Sequence, residues 1–232
     1  MSKSTPGLFI TGTDTEVGKT RVTAMIARSL VAAGYRTGVY KPAASGCRRE
    51  DKELIAADAV ALWEAAGRPG TLELVCPQRF EAPVAPHLAA RAEGRRLDAA
   101  LLRRGIDIWR ADSEIVLVEG AGGLMSPIGE QDYVADLAAE FGYPLLIVTR
   151  NALGTINQTL QTLIAAASFG TGLPVAGIVL NHPVPPAGDA SLATNRSELT
   201  ARCNVPILAE VAWQAEQFDV EVDWFAVGQG LP

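Results

Sequence analysis

The chain has 232 residues, 48% of them hydrophobic and 20% charged, and a net charge of −6. That balance suits an ordinary globule large enough to bury its own core, and its acidity argues against a nucleic-acid partner, so an anionic ligand must be held by local positive features. Cys47, Cys76 and Cys203 are far apart and odd in number, which predicts neither a disulfide framework nor a zinc site. The opening M-S-K-S-T-P-G-L-F-I has no signal-peptide character, and no apolar run is long enough for a bilayer. The expectation is a cytoplasmic protein with no membrane partner, in which the sequons at Asn157 and Asn195 are chance matches.

In chain order, short β-rich runs alternate with longer Ala/Leu-rich ones. Residues 8–11, 37–40, 115–118, 145–149, 176–180 and 207–211 read as strands, mostly as continuous apolar runs of the kind covered on both faces. Residues 19–33, 52–66, 97–111, 133–141, 155–169 and 190–203 read as helices. In the first of these Val22, Met25, Ile26, Ser29 and Leu30 share a face, and Gly34 ends it. The Pro-rich segment 183–188 is a loop, and residues 219–232 show no clear pattern. This alternation predicts an α/β fold: one domain over residues 1–232, with a doubly wound, mainly parallel sheet and helices on both faces. In such sheets ligands bind beyond the carboxyl ends of the strands, so residues 12–20, 41–45, 119–123, 150–155 and 181–182 carry the interest.

The first of these segments is G-T-D-T-E-V-G-K-T, from Gly12 to Thr20, between a strand and a helix. Backbone N–H groups of such a loop, with the positive helix end, cradle phosphate. Lys19 reaches the outer phosphates and the Thr20 hydroxyl holds Mg²⁺ in that reading. The usual pattern places glycine at position 13, where this chain has Thr13, the glycine being one place earlier.

This loop, displaced glycine included, resembles that of the dethiobiotin synthetases. Further stretches match the same family in order: Y-K-P-A-A-S-G from Tyr40, E-G-A-G-G from Glu119 and L-G-T-I-N from Leu153, with a weaker P-x-x-P-H ending at His87. The resemblance implies a P-loop NTPase fold and an enzyme that joins CO₂ to a vicinal diamine, 7,8-diaminononanoate, with ATP and Mg²⁺ as co-substrate and cofactor.

Carried over residue by residue, it implies that Glu16, Val17, Gly18, Lys19, Thr20 and Arg21 bind ATP, together with Asp58, Glu119, Gly120, Ala121 and Gly122. Lys19 and Lys41 are the catalytic cations, and Thr20, Asp58 and Glu119 the metal ligands. Thr15, Glu16, Lys41 and Ser45 face the diamine and its carbamate. Gly154, Thr155 and Ile156 open a helix whose free N–H groups hold the substrate's far carboxylate across a homodimer interface. Asn181 reads adenine, with His182 beside it and Ala212, Trp213 and Gln214 lining the base pocket. The family commonly has Pro-Trp-Leu at that last segment and often His at Gln158. His87 is read as structural or substrate-lining, and no histidine is assigned as a general base.

Three rival readings exist. A partition-type nucleotide switch carries an extra lysine early in the loop, where this chain has Asp14. A cobyrinate-type amidase carries a glutaminase domain, for which no pattern follows. A non-catalytic ATP-binding module would leave Lys41 and the acidic ligands idle.

Overall fold

The computed structural model describes residues 5–51, 53–186 and 188–230. In chain order the elements are β1 (Gly7–Gly12), α1 (Lys19–Ala32), β2 (Thr37–Tyr40), β3 (Ala43–Ala44), β4 (Arg48–Glu50), β5 (Glu53–Ile55), α2 (Ala57–Ala65) and α3 (Leu72–Val75). Then come β6 (Gln78–Arg79), α4 (Pro86–Ala92), α5 (Ala99–Arg104), α6 (Asp107–Asp112), β7 (Ile115–Gly123), α7 (Val134–Phe141), β8 (Leu145–Arg150), α8 (Thr155–Ser168), β9 (Val175–Asn181), α9 (Leu192–Arg202), β10 (Ile207–Val211) and α10 (Trp224–Gly228).

Six strands form one parallel sheet in the order β10-β9-β8-β1-β7-β2. β1 and β2 are buried at every position, as continuous apolar strands under helices on both faces must be. From β1 the chain crosses one way to β2, and from β7 it crosses the other way to β8, β9 and β10. Right-handed crossovers in opposite directions put α1 on one face and α7, α8 and α9 on the other. The reversal beside β1 leaves a crevice at the carboxyl ends of β1, β7 and β8, the usual ligand position of such sheets.

Helix α1 buries Val22, Met25, Ile26 and Leu30, while Ser29 turns outward and donates to the Met25 carbonyl at 3.0 Å. Gly34 ends the helix at φ +90°, with Gly34 N–H on Val31 O and Tyr35 N–H on Leu30 O.

Several expected boundaries change. The helix expected over 52–66 begins only at Ala57. The segment before it forms the antiparallel β4–β5 pair, with Asp51 in the left-handed region at φ +51° and Lys52 outside the described residues. The helix expected over 97–111 splits into α5 and α6 at Gly105. The buried Tyr40 hydroxyl lies 3.0 Å from both the Leu101 and Leu102 carbonyls, and a Cβ at Gly105 would lie 2.3 Å from it. The strand expected to stop at residue 118 runs on as β7 to Gly123, because its ladder with β1 continues past Ile10↔Glu119 to Gly12↔Gly123. The stretch 219–230 is not patternless, Leu231 and Pro232 lying outside the described residues: α10 is capped by Asp223, buries Trp224 against Phe218 and stacks Phe225 on Tyr35 at 4.1 Å. In the 183–188 loop Ala187 lies outside the described residues. Among the described residues no helix is long and apolar enough to cross a membrane.

Candidate active site

Residues 12–18 turn over the end of β1 and feed α1. Two glycines make that turn possible. A Cβ at Gly12 would lie 2.6 Å from Asp14 O and 2.8 Å from Val17 Cγ2. Gly18 sits at φ +91°, and a Cβ there would lie 2.0 Å from Asn181 Nδ2. Thr13 meets no such crowding: its N–H bonds Val148 O at 3.0 Å and its hydroxyl lies 3.1 Å from that of Thr149. The close approach falls one residue early, which accounts for the displaced glycine. Thr15 and Glu16 stand exposed at the crest, with Glu16 at φ +56°, and Val17 anchors the loop in the core. The buried Lys19 ammonium folds back to donate to Asp14 O at 3.0 Å.

Below the loop lies a compact ionic cluster. The parallel register Tyr40↔Val118 brings Lys41, just past β2, beside Glu119 of β7. Lys41 Nζ donates to Glu119 Oε1 at 2.6 Å, and Thr20 Oγ1 donates to the same oxygen at 2.9 Å. Asp58, in the first turn of α2, pairs with Lys41 at 3.0 Å. Lys41 and Glu119 are buried, whereas the Asp58 side chain is 52% exposed and opens the cluster to solvent. Glu119 Oε2 is buried and has no partner among the described residues.

The two lysines differ in their electrostatics. Burial disfavours the charge on Lys41, but Glu119 and Asp58 outweigh it and hold the ammonium above its ordinary range. Burial dominates at Lys19, whose attraction to Glu119 is opposed by Lys41, and its ammonium falls below that range. Asp58 is held below the usual carboxylate range by Lys41.

At the far side of the loop Asn181 Nδ2 donates to Val17 O at 2.8 Å, while its buried Oδ1 has no partner among the described residues. Arg21 donates to the carbonyls of His182, Ala212 and Ala215, tying the segment after β10 to α1. That segment holds Trp213 and Gln214 exposed, with Gln214 at φ +56°. His182 Nε2 lies 2.6 Å from Glu210 Oε1.

Comparison with known proteins decides the family. An AAA-domain family model matches residues 6–217. The ATP-dependent dethiobiotin synthetase of Rhodopirellula baltica is 42% identical over 214 residues, 88% of this chain and 82% of that protein. That of Anaeromyxobacter dehalogenans is also 42% identical, over 90% of this chain and 91% of its own length.

The chain belongs to the dethiobiotin synthetase family.

Membership makes it an enzyme of the ligase class. A solved signal recognition particle receptor, FtsY of Elizabethkingia anophelis, superposes over 98% of this chain and 65% of that one with a TM-score of 0.57. At 14% identity that likeness bears on the P-loop fold alone. Among the residues that the resemblance to the dethiobiotin synthetases singled out, Lys19, Thr20, Lys41, Asp58 and Glu119 gather at one point. Asn181, His182, Ala212, Trp213 and Gln214 gather at another, with Arg21 bonded to the carbonyls there. Gly120, Ala121 and Gly122 continue β7 past Glu119, and Gly122 adopts φ +74° with a prospective Cβ 2.4 Å from Ser126 Oγ. Ser45 follows β3 on the Lys41 side.

Gly154, Thr155 and Ile156 open α8. Gly154 is its N-cap, at φ +98°; the Thr155 N–H bonds Ala152 O at 3.1 Å, and among the described residues no side chain caps the helix, which leaves the Ile156 and Asn157 N–H groups to meet an anion. A cavity of about 460 Å³ separates α8 from the phosphate loop, lined by Thr13, Asp14, Ser126, Gln158 and Thr162 among others. Sequence reading gave no individual role to Thr149, inside the strand over 145–149, or to Asn151, inside the segment 150–155. Both lie next to a strand end, which is the one signal that could have found them.

Proposed function

We propose that this enzyme makes dethiobiotin by ATP-dependent carboxylation and ring closure of 7,8-diaminononanoate. The observation that carries the reading is the convergence of Lys19, Thr20, Lys41, Asp58 and Glu119 beneath a phosphate loop. An amine of the diamine takes up CO₂ as a carbamate, whose oxygen attacks the γ-phosphorus as ADP leaves. The second amine then attacks the carbonyl carbon of this carbamic–phosphoric anhydride, closing the cyclic urea and expelling phosphate. Lys19 holds the outer phosphate oxygens. Lys41 faces the carbamate and transferring phosphoryl group, and the pair offset negative charge brought together at one point. Thr15, Glu16 and Ser45 hold the amines and carbamate, and no histidine is assigned as a general base.

The donor set suits a hard divalent cation. Glu119 offers a buried, unpartnered Oε2, Asp58 an exposed carboxylate and Thr20 a hydroxyl. No group of three or more His, Cys, Asp or Glu placed to hold a metal ion occurs among the described residues, so phosphate oxygens and water would complete the shell. We assign these three residues to Mg²⁺, which supplies charge neutralisation at the phosphates. Glu119→Gln is expected to raise the Mg²⁺ concentration for half-maximal activity by at least about tenfold, since an amide keeps the shape and loses the charge. It also removes one of the two carboxylate partners of a buried lysine, with Asp58 left to pair it, at a cost of at most about 3 kcal/mol of stability. A magnesium titration and a thermal melt check both, and an unaltered titration would remove Glu119 from the ligand set.

Asn181 supports adenine as the base. One N–H of its Nδ2 is used on the Val17 carbonyl and its buried Oδ1 is without a partner among the described residues, an acceptor that the exocyclic amine of adenine satisfies. The apolar side chains of Leu153, just before α8, and Ile164, in its third turn, are 84% and 66% exposed and support a second copy docking along this helix. The α8 N-terminus of one subunit then holds the far carboxylate of the diamine bound to its partner. A single domain in a cytoplasmic homodimer completes the reading.

The test is steady-state ADP release with ATP, Mg²⁺ and bicarbonate, with and without the diamine. Release that is indifferent to the diamine overturns the proposal in favour of a nucleotide switch.

A further inference from the structure

The side chain of Thr149, near the end of β8, is wholly buried. Its hydroxyl lies 3.1 Å from that of Thr13 and 2.9 Å from that of Thr155, and it accepts from Thr159 at 3.2 Å. A hydroxyl has one hydrogen and two lone pairs, so three partners use its whole capacity. Thr155 and Thr159 are themselves buried, so these bonds have little competition from water. Thr13 belongs to the phosphate loop, and Thr155 is the first residue of α8. A valine would fill the same space without any polar atom to satisfy, and the chemistry above asks nothing of these hydroxyls. The knot therefore has a use elsewhere: through one hydroxyl it links the loop that seats phosphate to the helix start that meets an anion.

We propose that Thr149 is a positioning residue through which nucleotide on the phosphate loop and carboxylate at the start of α8 bind cooperatively. The inference rests on the reading that α8 holds the carboxylate of the diamine. Phosphate ordering the loop fixes Thr13, Thr13 fixes the Thr149 hydroxyl, and that hydroxyl fixes Thr155 and the N–H groups around it. Because linkage is reciprocal, carboxylate bound at α8 tightens nucleotide by the same factor. In a homodimer the effect passes between subunits, since each α8 start serves its neighbour's substrate.

Diamine affinity measured by calorimetry, with and without a non-hydrolysable ATP analogue, tests this. In the parent enzyme the analogue should tighten the diamine at least about fivefold, the lower end of ordinary coupling. A diamine lacking the carboxylate should show no such gain. Thr149→Val should bring the ratio below about twofold, and Thr149→Ser, which keeps the hydroxyl, should restore it. Thr13→Val cuts only the loop arm at a half-buried position, and it should lose the same ratio if Thr149→Val fails to fold. A Thr149→Val enzyme that melts earlier but keeps the parent ratio makes the knot merely structural and overturns the inference. So does a parent ratio of one. A parent enzyme that releases ADP in response to the diamine but shows no coupling loses only this inference. One that neither binds nor responds to the diamine loses the proposed function as well.

Discussion

Replacing Lys41 with glutamine should leave nucleotide affinity within several-fold of the parent and lower diamine-dependent turnover by at least about 10²-fold, the scale of removing one electrostatic stabiliser. The asymmetry follows from where the ammonium points. It is buried, bonded to Glu119 at 2.6 Å and paired with Asp58 at 3.0 Å, just past the strand that borders β7. Carbamate and γ-phosphoryl oxygens change their charge as the new bond forms, and contacts that strengthen only then raise turnover rather than ground-state binding. Because Glu119 and Asp58 hold the lysine above its ordinary range, it stays charged throughout neutral and mildly alkaline pH, so an alkaline loss of activity should not come from Lys41. Lys41→Arg should rescue only in part, since a planar fork does not replace a point charge in a closed pocket. Nucleotide titration and steady-state ADP release on the same melted and refolded samples check the result. Normal hydrolysis by Lys41→Gln would return the chain to the switch reading, in which this residue has no chemical task.

Lys19→Ala should abolish measurable turnover and weaken ATP binding together. The lost charge-assisted contacts are worth about 1.5–3 kcal/mol in the ground state, roughly a tenfold to hundredfold drop in affinity, with a further loss in the transition state. Among the described residues Lys19 bonds only a loop carbonyl, Asp14 O, so its ammonium can swing to phosphate without breaking an ion pair. Burial already disfavours its charge, so arriving phosphate relieves a penalty as well as forming new bonds. Little stability should be lost, in contrast to Glu119→Gln, because no buried carboxylate is left alone. Equilibrium nucleotide binding and turnover both unchanged in Lys19→Ala would remove the phosphate-loop reading altogether.

Much of this was legible in the chain itself, for a local reason. Most of the six sheet strands are continuous apolar runs, and the phosphate loop, Tyr-Lys-Pro and Glu-Gly-Ala-Gly-Gly segments are contiguous, so no long-range information was needed to see them. What the chain alone could not reveal depends on residues distant in sequence meeting in space. The strand order puts β7 between β1 and β2, and only that neighbour relation turns Lys41 and Glu119, 78 residues apart, into a 2.6 Å pair. The break at Gly105 depends on the hydroxyl of Tyr40, and the short helix at Trp224 depends on Tyr35 and Phe218. The glycine before Lys19 is a tertiary matter too. Position 18 must be glycine because Asn181 arrives from 163 residues away, while position 13 is free to carry the threonine that reaches Thr149. Local periodicity encodes which residues are strands, helices and loops. The packing of the sheet's carboxyl end decides which of them touch, because contacts there join strands that are adjacent in the sheet and remote along the chain.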